Sequence, residues 1–152
     1  MAARGIDAMS PESARFGTAI NCTDGRTQLP LIEWTTSRFR LSYVDMITKP
    51  GVDAVLAKND DPRTIESMKR KVCMSIEKHG SRLKVVVGHH DCAGNPVDMR
   101  AHLAQIRSAI ETIASWGFKA EVLGVWIGEH WNVELEIPPE RGTQQDLLGT
   151  KC

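Results

Sequence analysis

The chain has 152 residues, the common size of one domain, with 41% hydrophobic and 25% charged, enough to bury a single core without disulfide staples. Nineteen basic residues offset nineteen acidic ones, so no net field favours nucleic acid or an anionic membrane surface. No run approaches the roughly 20 apolar residues of a membrane span, and Met1 to Ser10 lack the apolar stretch of a signal peptide; the expected compartment is the cytoplasm, with the four cysteines reduced.

The first dozen residues and residues 138–152 read as flexible ends, the latter with Pro138, Pro139, Gly142 and Gly149 and with Cys152 as a spectator thiol. Residues 1–137 therefore carry the domain and 138–152 a tail. In chain order, Phe16–Cys22 reads as a strand, and a helix is expected after Pro30. Tyr43–Thr48 is a second strand. Asp61 caps a helix that opens on Pro62 and stops at Gly80, with Ile65, Met68, Val72 and Ile76 on one face. Cys73 fits that face as a small hydrophobe, whereas Lys69, Arg70 and Lys71 form a solvated one. Leu83–His89, rich in β-branched residues, suits a central strand. Asn95 and Pro96 give a second helix start, followed by the stripe Met99, Leu103, Ile106, Ile110, Ile113 up to Trp116 and Gly117. His79 and His102, on helices, read as surface residues. Glu121–Ile127 is a fourth strand and Asn132–Ile137 an edge strand.

Strands alternating with helices predict a single-domain α/β fold: about four parallel strands plus an edge strand, flanked by helices on both faces. Sites in such sheets collect beyond the carboxyl ends of the strands. Two chemically loaded segments fall there: Cys22-Thr23-Asp24-Gly25-Arg26 after the first strand and His89-His90-Asp91-Cys92 after the third. If those strands are neighbours, the loops lie side by side.

Zinc prefers thiolate and imidazole, and a catalytic site uses three protein ligands with one open position. Cys22, His89 and Cys92 supply such a set. His90 competes with His89, but neighbours on a strand end face opposite ways, so one of them reaches the metal. Two thiolates offset the charge of Zn²⁺ and weaken it as a Lewis acid. Asp24 could accept a hydrogen bond from a bound water while Arg26 holds it in place; the bland alternative is a loop salt bridge worth little.

Cys-x-Asp-x-Arg followed by His-x-x-Cys resembles the β-class carbonic anhydrases, and the similarity runs from about Phe16 to about Ile137. Ser75-Ile76-Glu77, Val85-Val86-Val87-Gly88-His89 and Val122-Leu123-Gly124-Val125-Trp126 resemble the family's corresponding helix and strands. The resemblance implies a zinc lyase that interconverts CO₂ and bicarbonate through a zinc-bound hydroxide, in homodimers or higher homo-oligomers with sites at the subunit interface. It implies Cys22, His89 and Cys92 as ligands and Asp24 with Arg26 as the catalytic dyad. Trp126 and Trp131, near the edge strand, are expected to contribute to the subunit contact.

The departures fall in the pocket and not in the metal set. Ile47-Thr48-Lys49-Pro50-Gly51 stands where the family usually has Arg-Asn-Ala-Gly-Asn, Gly25 where it usually has Ser, and Ala93 separates Cys92 from Gly94. No glutamine precedes Gln28 to contact substrate as the family's does. Two other readings therefore stand beside the hydratase. One is hydrolysis of a related small substrate, carbonyl sulfide or carbon disulfide; the other is a non-catalytic zinc protein in which Asp24 fills the fourth position.

Overall fold

The computed structural model describes residues 14–141 and Cys152. β1 (Phe16–Asn21), β2 (Tyr43–Thr48), β3 (Leu83–His89), β4 (Glu121–Ile127) and β5 (Val133–Ile137) form one sheet in the order β2-β1-β3-β4-β5. The first four strands are parallel, and β5 returns antiparallel to β4. β1 and β3 are neighbours, so the two chemically loaded loops meet as expected. The single α/β domain is the one the alternation of strands and helices predicts.

β3 is buried along its whole length, and its alternation divides the core. Val85 and Val87 pack with Ala19, Leu123 and Val125 beneath Leu31 of α1 (Gly25–Phe39). Val86 packs on the other face with Ile20, against α2 (Val52–Lys58), α3 (Pro62–His79) and α4 (Met99–Ala114). Each such valine contributes about 1.5–3 kcal/mol by leaving water. Lys84 shares the second face. It is fully buried, its Nζ has no hydrogen-bond partner among the described residues, and it lies 5.6 Å from the centroid of the Phe118 ring.

α3 follows its sequence signals. The Asp61 side chain accepts from Thr64 N–H, and Gly80, at φ +66°, donates its N–H to Ile76. Three helical expectations need correction. α1 begins at Gly25, capped by Asp24, so Pro30 lies inside its second turn, where it removes a hydrogen bond to the Arg26 carbonyl and crowds that carbonyl with its ring. α4 begins at Met99 because the Asp98 carboxylate, not Asn95, accepts from the Ala101 N–H (2.8 Å). α2 was not foreseen: it is seven residues long and is entered through Gly51 at φ +59° without any side-chain cap.

Several side chains also differ from expectation. His79 is exposed and hydrogen-bonds to Asp45, but His102 is buried. Trp126 faces the core of its own chain and is not available for a subunit contact. Cys73 is joined to Cys152 in a disulfide, so neither a purely packing cysteine nor a spectator thiol describes the pair. The first dozen residues and residues 142–151 of the tail lie outside the described residues. No helix among the described residues is long and apolar enough to cross a membrane.

Candidate metal centre

β1 delivers Cys22 and β3 delivers His89 at the carboxyl edge of the sheet, and the turn after β3 brings Cys92 back to them. Asn21, fully buried at the end of β1, fixes the first turn: its Oδ1 accepts from Cys22 N–H (2.8 Å) and its Nδ2 donates to Thr27 Oγ1 (3.0 Å). Gln28 donates its amide to the carbonyls of Cys22 (2.8 Å) and Asp24 (3.0 Å). The departures from the family pattern thus lie against the site. At Gly51 a Cβ would stand 2.5 Å from the carbonyl oxygen of Gly94, so the turn before α2 packs directly on the loop that carries Cys92.

Cys22, His89 and Cys92 are all buried, and their ligand atoms lie within 4.8 Å of one another. The two Sγ atoms are 3.9 Å apart. Thiolates bound at about 2.3 Å to one tetrahedral zinc stand about 3.8 Å apart, so the spacing fits the ion without rearrangement. His89 Nδ1–H donates to the carbonyl of His90 (2.8 Å), which leaves Nε2 as the lone-pair nitrogen. Among the described residues that buried nitrogen makes no hydrogen bond of regular geometry, and the Cys22 thiol, within 4.8 Å, is the polar group that faces it; a buried nitrogen left so costs about 1–3 kcal/mol unless something satisfies it. His90 is exposed, as strand alternation requires.

The thiols are electrostatically unequal. Burial pushes Cys22 up, but the His89 ring and the amides of Asp24 and Gly51 bring it down to about 7. Burial and the neighbouring Cys22 push Cys92 up to about 11. Left to itself the pair is only about half-way to its first thiolate near neutral pH, and the second thiol stays protonated. A divalent cation supplies the charge that lets both ionise.

Asp24 carries two duties. It caps α1 by accepting from Arg26 N–H (2.9 Å), and its carboxylate is held by the Arg26 guanidinium through Nε (3.0 Å) and Nη2 (2.7 Å). Those hydrogen bonds hold its carboxyl down at about 2. Arg26 also donates to the carboxylate and the carbonyl of Asp91, both at 3.2 Å, and stacks 4.0 Å from the Trp131 ring centroid. Asp91 (φ +53°) and Trp131 (φ +56°) are both left-handed, a conformation that costs a non-glycine residue about 1–2 kcal/mol. The loops that steady Arg26 are therefore held in shape against their local preference.

The expected site residues are brought together: three donors in the interior and Asp24 with Arg26 at the rim. Missed from sequence were Asp91, the place of Trp131 against Arg26 (it was expected only at a subunit contact), and a buried network below the Cys92 loop. Asp53 accepts from His102 Nδ1 (2.5 Å), while Asn95 donates to Gln105 (2.6 Å) and to Asp53 (3.2 Å). Gly88 makes room for it, because a Cβ there would stand 2.8 Å from Asp53 Oδ2. One signal for His102 was present: it lies one helical turn before Ile106, on the apolar stripe.

Among solved structures the chain is similar to a carbonic anhydrase from Glaciozyma antarctica, with 16% identity, 84% of this chain and 86% of that one covered, and a TM-score of 0.47. It is also similar to a carbonic anhydrase from Streptococcus mutans, with 16% identity, 79% and 80% covered, and a TM-score of 0.42. No curated protein matches. Residues 12–136 match the family described as "Putative carbonic anhydrase", and since that is most of its length, the chain belongs to this family.

Proposed function

We propose that the chain is a zinc-dependent hydratase that interconverts CO₂ and bicarbonate. The carrying observation is the convergence of three buried donors, one of them an imidazole nitrogen without a regular hydrogen bond among the described residues, beside a carboxylate that Arg26 holds by two hydrogen bonds. Cys22, His89 and Cys92 would hold the zinc, which supplies the Lewis acidity that makes water a nucleophile near neutral pH. Asp24 stays ionised in all but strongly acidic solution, so it is too weak a base to remove the proton itself. Its role is to accept a hydrogen bond from the attacking water and aim the oxygen lone pair at CO₂. Arg26 keeps it in that orientation, and Asp91 and Trp131 keep Arg26. A carboxylate engaged twice by a guanidinium also favours this open arrangement over one in which Asp24 closes the site.

The test is CO₂ hydration by stopped flow, with zinc content measured on the same samples. Arg26→Ala and Asp24→Asn are each expected to lower turnover by about 10²-fold or more while retaining the metal. Cys22→Ser and Cys92→Ser are expected to lose it. Wild-type turnover in Arg26→Ala would remove the dyad from the mechanism, and an inactive, zinc-loaded wild type would remove the hydratase reading.

The Ile47–Gly51 stretch favours a second substrate class, carbonyl sulfide or carbon disulfide, because this altered segment packs against the metal-site loops. Side-by-side turnover on those substrates discriminates. The minimal unit we propose is a cytoplasmic homodimer. Leu29 and Ile32 on α1 and Val97 and Met99 at the start of α4 are exposed apolar residues that support a subunit contact. Sedimentation showing only monomer at micromolar concentration would overturn it.

A further inference from the structure

A second cluster with the donor chemistry of a metal site lies away from this centre. Cys73 and Glu77 stand one helical turn apart on α3 and so leave it on the same face, and Cys152 joins them from the C-terminal end. The two sulfurs and a carboxylate oxygen of Glu77 lie within 4.8 Å of one another. In the structure the sulfurs are bonded as a disulfide, and the Glu77 carboxylate makes no ion pair with a described residue.

We propose that Cys73, Glu77 and Cys152 form a redox-gated site for a borderline-soft divalent cation such as zinc: the dithiol form binds it, and the disulfide form excludes it. Two thiolates and a carboxylate are a donor set that suits zinc, with solvent completing the tetrahedron. Reduction needs to part the sulfurs only to about 3.8 Å, the separation of thiolates on one zinc, and Glu77 is already within reach of both. Lys69 and Arg70 line the hollow of 170 Å³ beside the sulfurs, together with Trp116 and Phe118, and favour thiolate over thiol. Arg70 is paired with Glu66 at 3.5 Å, so it is Lys69 that stands against three negative ligands, and the cluster remains attractive to a cation.

The gating step balances. The metal-bound dithiolate attacks a small-molecule disulfide, forms the Sγ–Sγ bond, passes two electrons to the oxidant, which leaves as two thiolates, and frees the divalent cation. A dithiol reductant reverses it by exchange.

The experiment uses the full chain as the Cys22→Ser/Cys92→Ser variant, which removes the first centre. It is reduced anaerobically or oxidised with oxidised glutathione, then loaded with Zn²⁺ or Co²⁺. Elemental analysis and the thiolate-to-cobalt charge-transfer band are the readouts. The reduced variant is expected to hold about one cation per chain and the oxidised variant none; adding Cys152→Ser abolishes binding, and adding Glu77→Gln weakens it by about tenfold or more in chelator competition. Should that variant not fold, wild type serves: two cations when reduced, one when oxidised, and one in both states for Cys73→Ser. The proposal is overturned if reduced protein, with both thiols shown free by alkylation and mass spectrometry, takes up nothing beyond the first centre. It is equally overturned if uptake is indifferent to Cys73 and Cys152. Loss of the Cys22-dependent cation alone would count against the hydratase reading and leave this site standing.

Discussion

Lys84 is a buried charge with no hydrogen-bond partner among the described residues and only the face of Phe118 near it, and its replacement should make the protein more stable. Burial without a hydrogen bond pushes its ammonium down from 10.5 to about 8. That difference corresponds to about 3 kcal/mol of preference for the neutral form. The unfolded chain binds this proton more tightly than the folded one. The penalty on folding is therefore complete below about pH 8, fades as pH rises from about 8 to 10.5, and is gone above that, so stability from this group increases with pH. Lys84→Met keeps an unbranched apolar chain and removes the charge. Near pH 7 it should gain about 2–3 kcal/mol, which for a chain of this size raises Tm by roughly 5–10 °C. Near pH 10.5 the gain should shrink below about 1 kcal/mol. Urea denaturation of both proteins at the two pH values measures this. A variant no more stable near neutrality, or equally favoured at both pH values, would refute the reasoning.

Gly88→Ala puts a Cβ 2.8 Å from both Asp53 Oδ2 and Ile106 Cδ1, and should cost about 1–3 kcal/mol in thermal or chemical denaturation. Asp53→Ala strands the buried Nδ1 donor of His102 and removes one of the two acceptors of Asn95, and should cost about 2–4 kcal/mol by the same measurement. Because Asp24 titrates at about 2 when folded, below the ordinary 3.8, its contribution to stability is present above pH 4 and is lost as pH falls through about 2. Asp24→Asn should flatten that part of the stability profile, and an NMR titration of the carboxyl near 3.8 would contradict the assignment.

The parts of the fold legible in the sequence are those where a local signal and the tertiary outcome coincide. β2, β3 and β4 have the expected bounds because their β-branched runs are broken by turn residues, and α3 because Asp61-Pro62 and Gly80 act through backbone hydrogen bonds that the sequence specifies by itself. α2 was invisible because seven residues span only two turns, too few for a period to emerge, and its entry depends on Gly51 against Gly94. α1 starts ahead of its strongest sequence signal, Pro30, because its cap is Asp24, a residue whose type fits a site carboxylate as well as a helix cap. The three donors were legible from residue type and from strand ends. What lies around them was not: Asp53 and His102 are 49 residues apart, and Arg26 and Asp91 65, distances over which spacing says nothing. The Cys73–Cys152 pair, separated by 79 residues, belongs to the same class.

Asp24 ends one structure and begins another, and this biases the populations of the site. Any state in which its carboxylate turned inward to a metal would leave Arg26 N–H at the head of α1 without its acceptor. Losing a cap of this kind costs about 1 kcal/mol, about a fivefold shift in an equilibrium constant, before the two guanidinium hydrogen bonds are counted. Those bonds are charge-assisted, and even at about 1 kcal/mol each they bring the ratio to about a hundredfold in favour of the outward carboxylate. The helix thus acts as a spring on the site. Substitutions that weaken the first turn of α1 should raise the share of the closed state without touching a ligand.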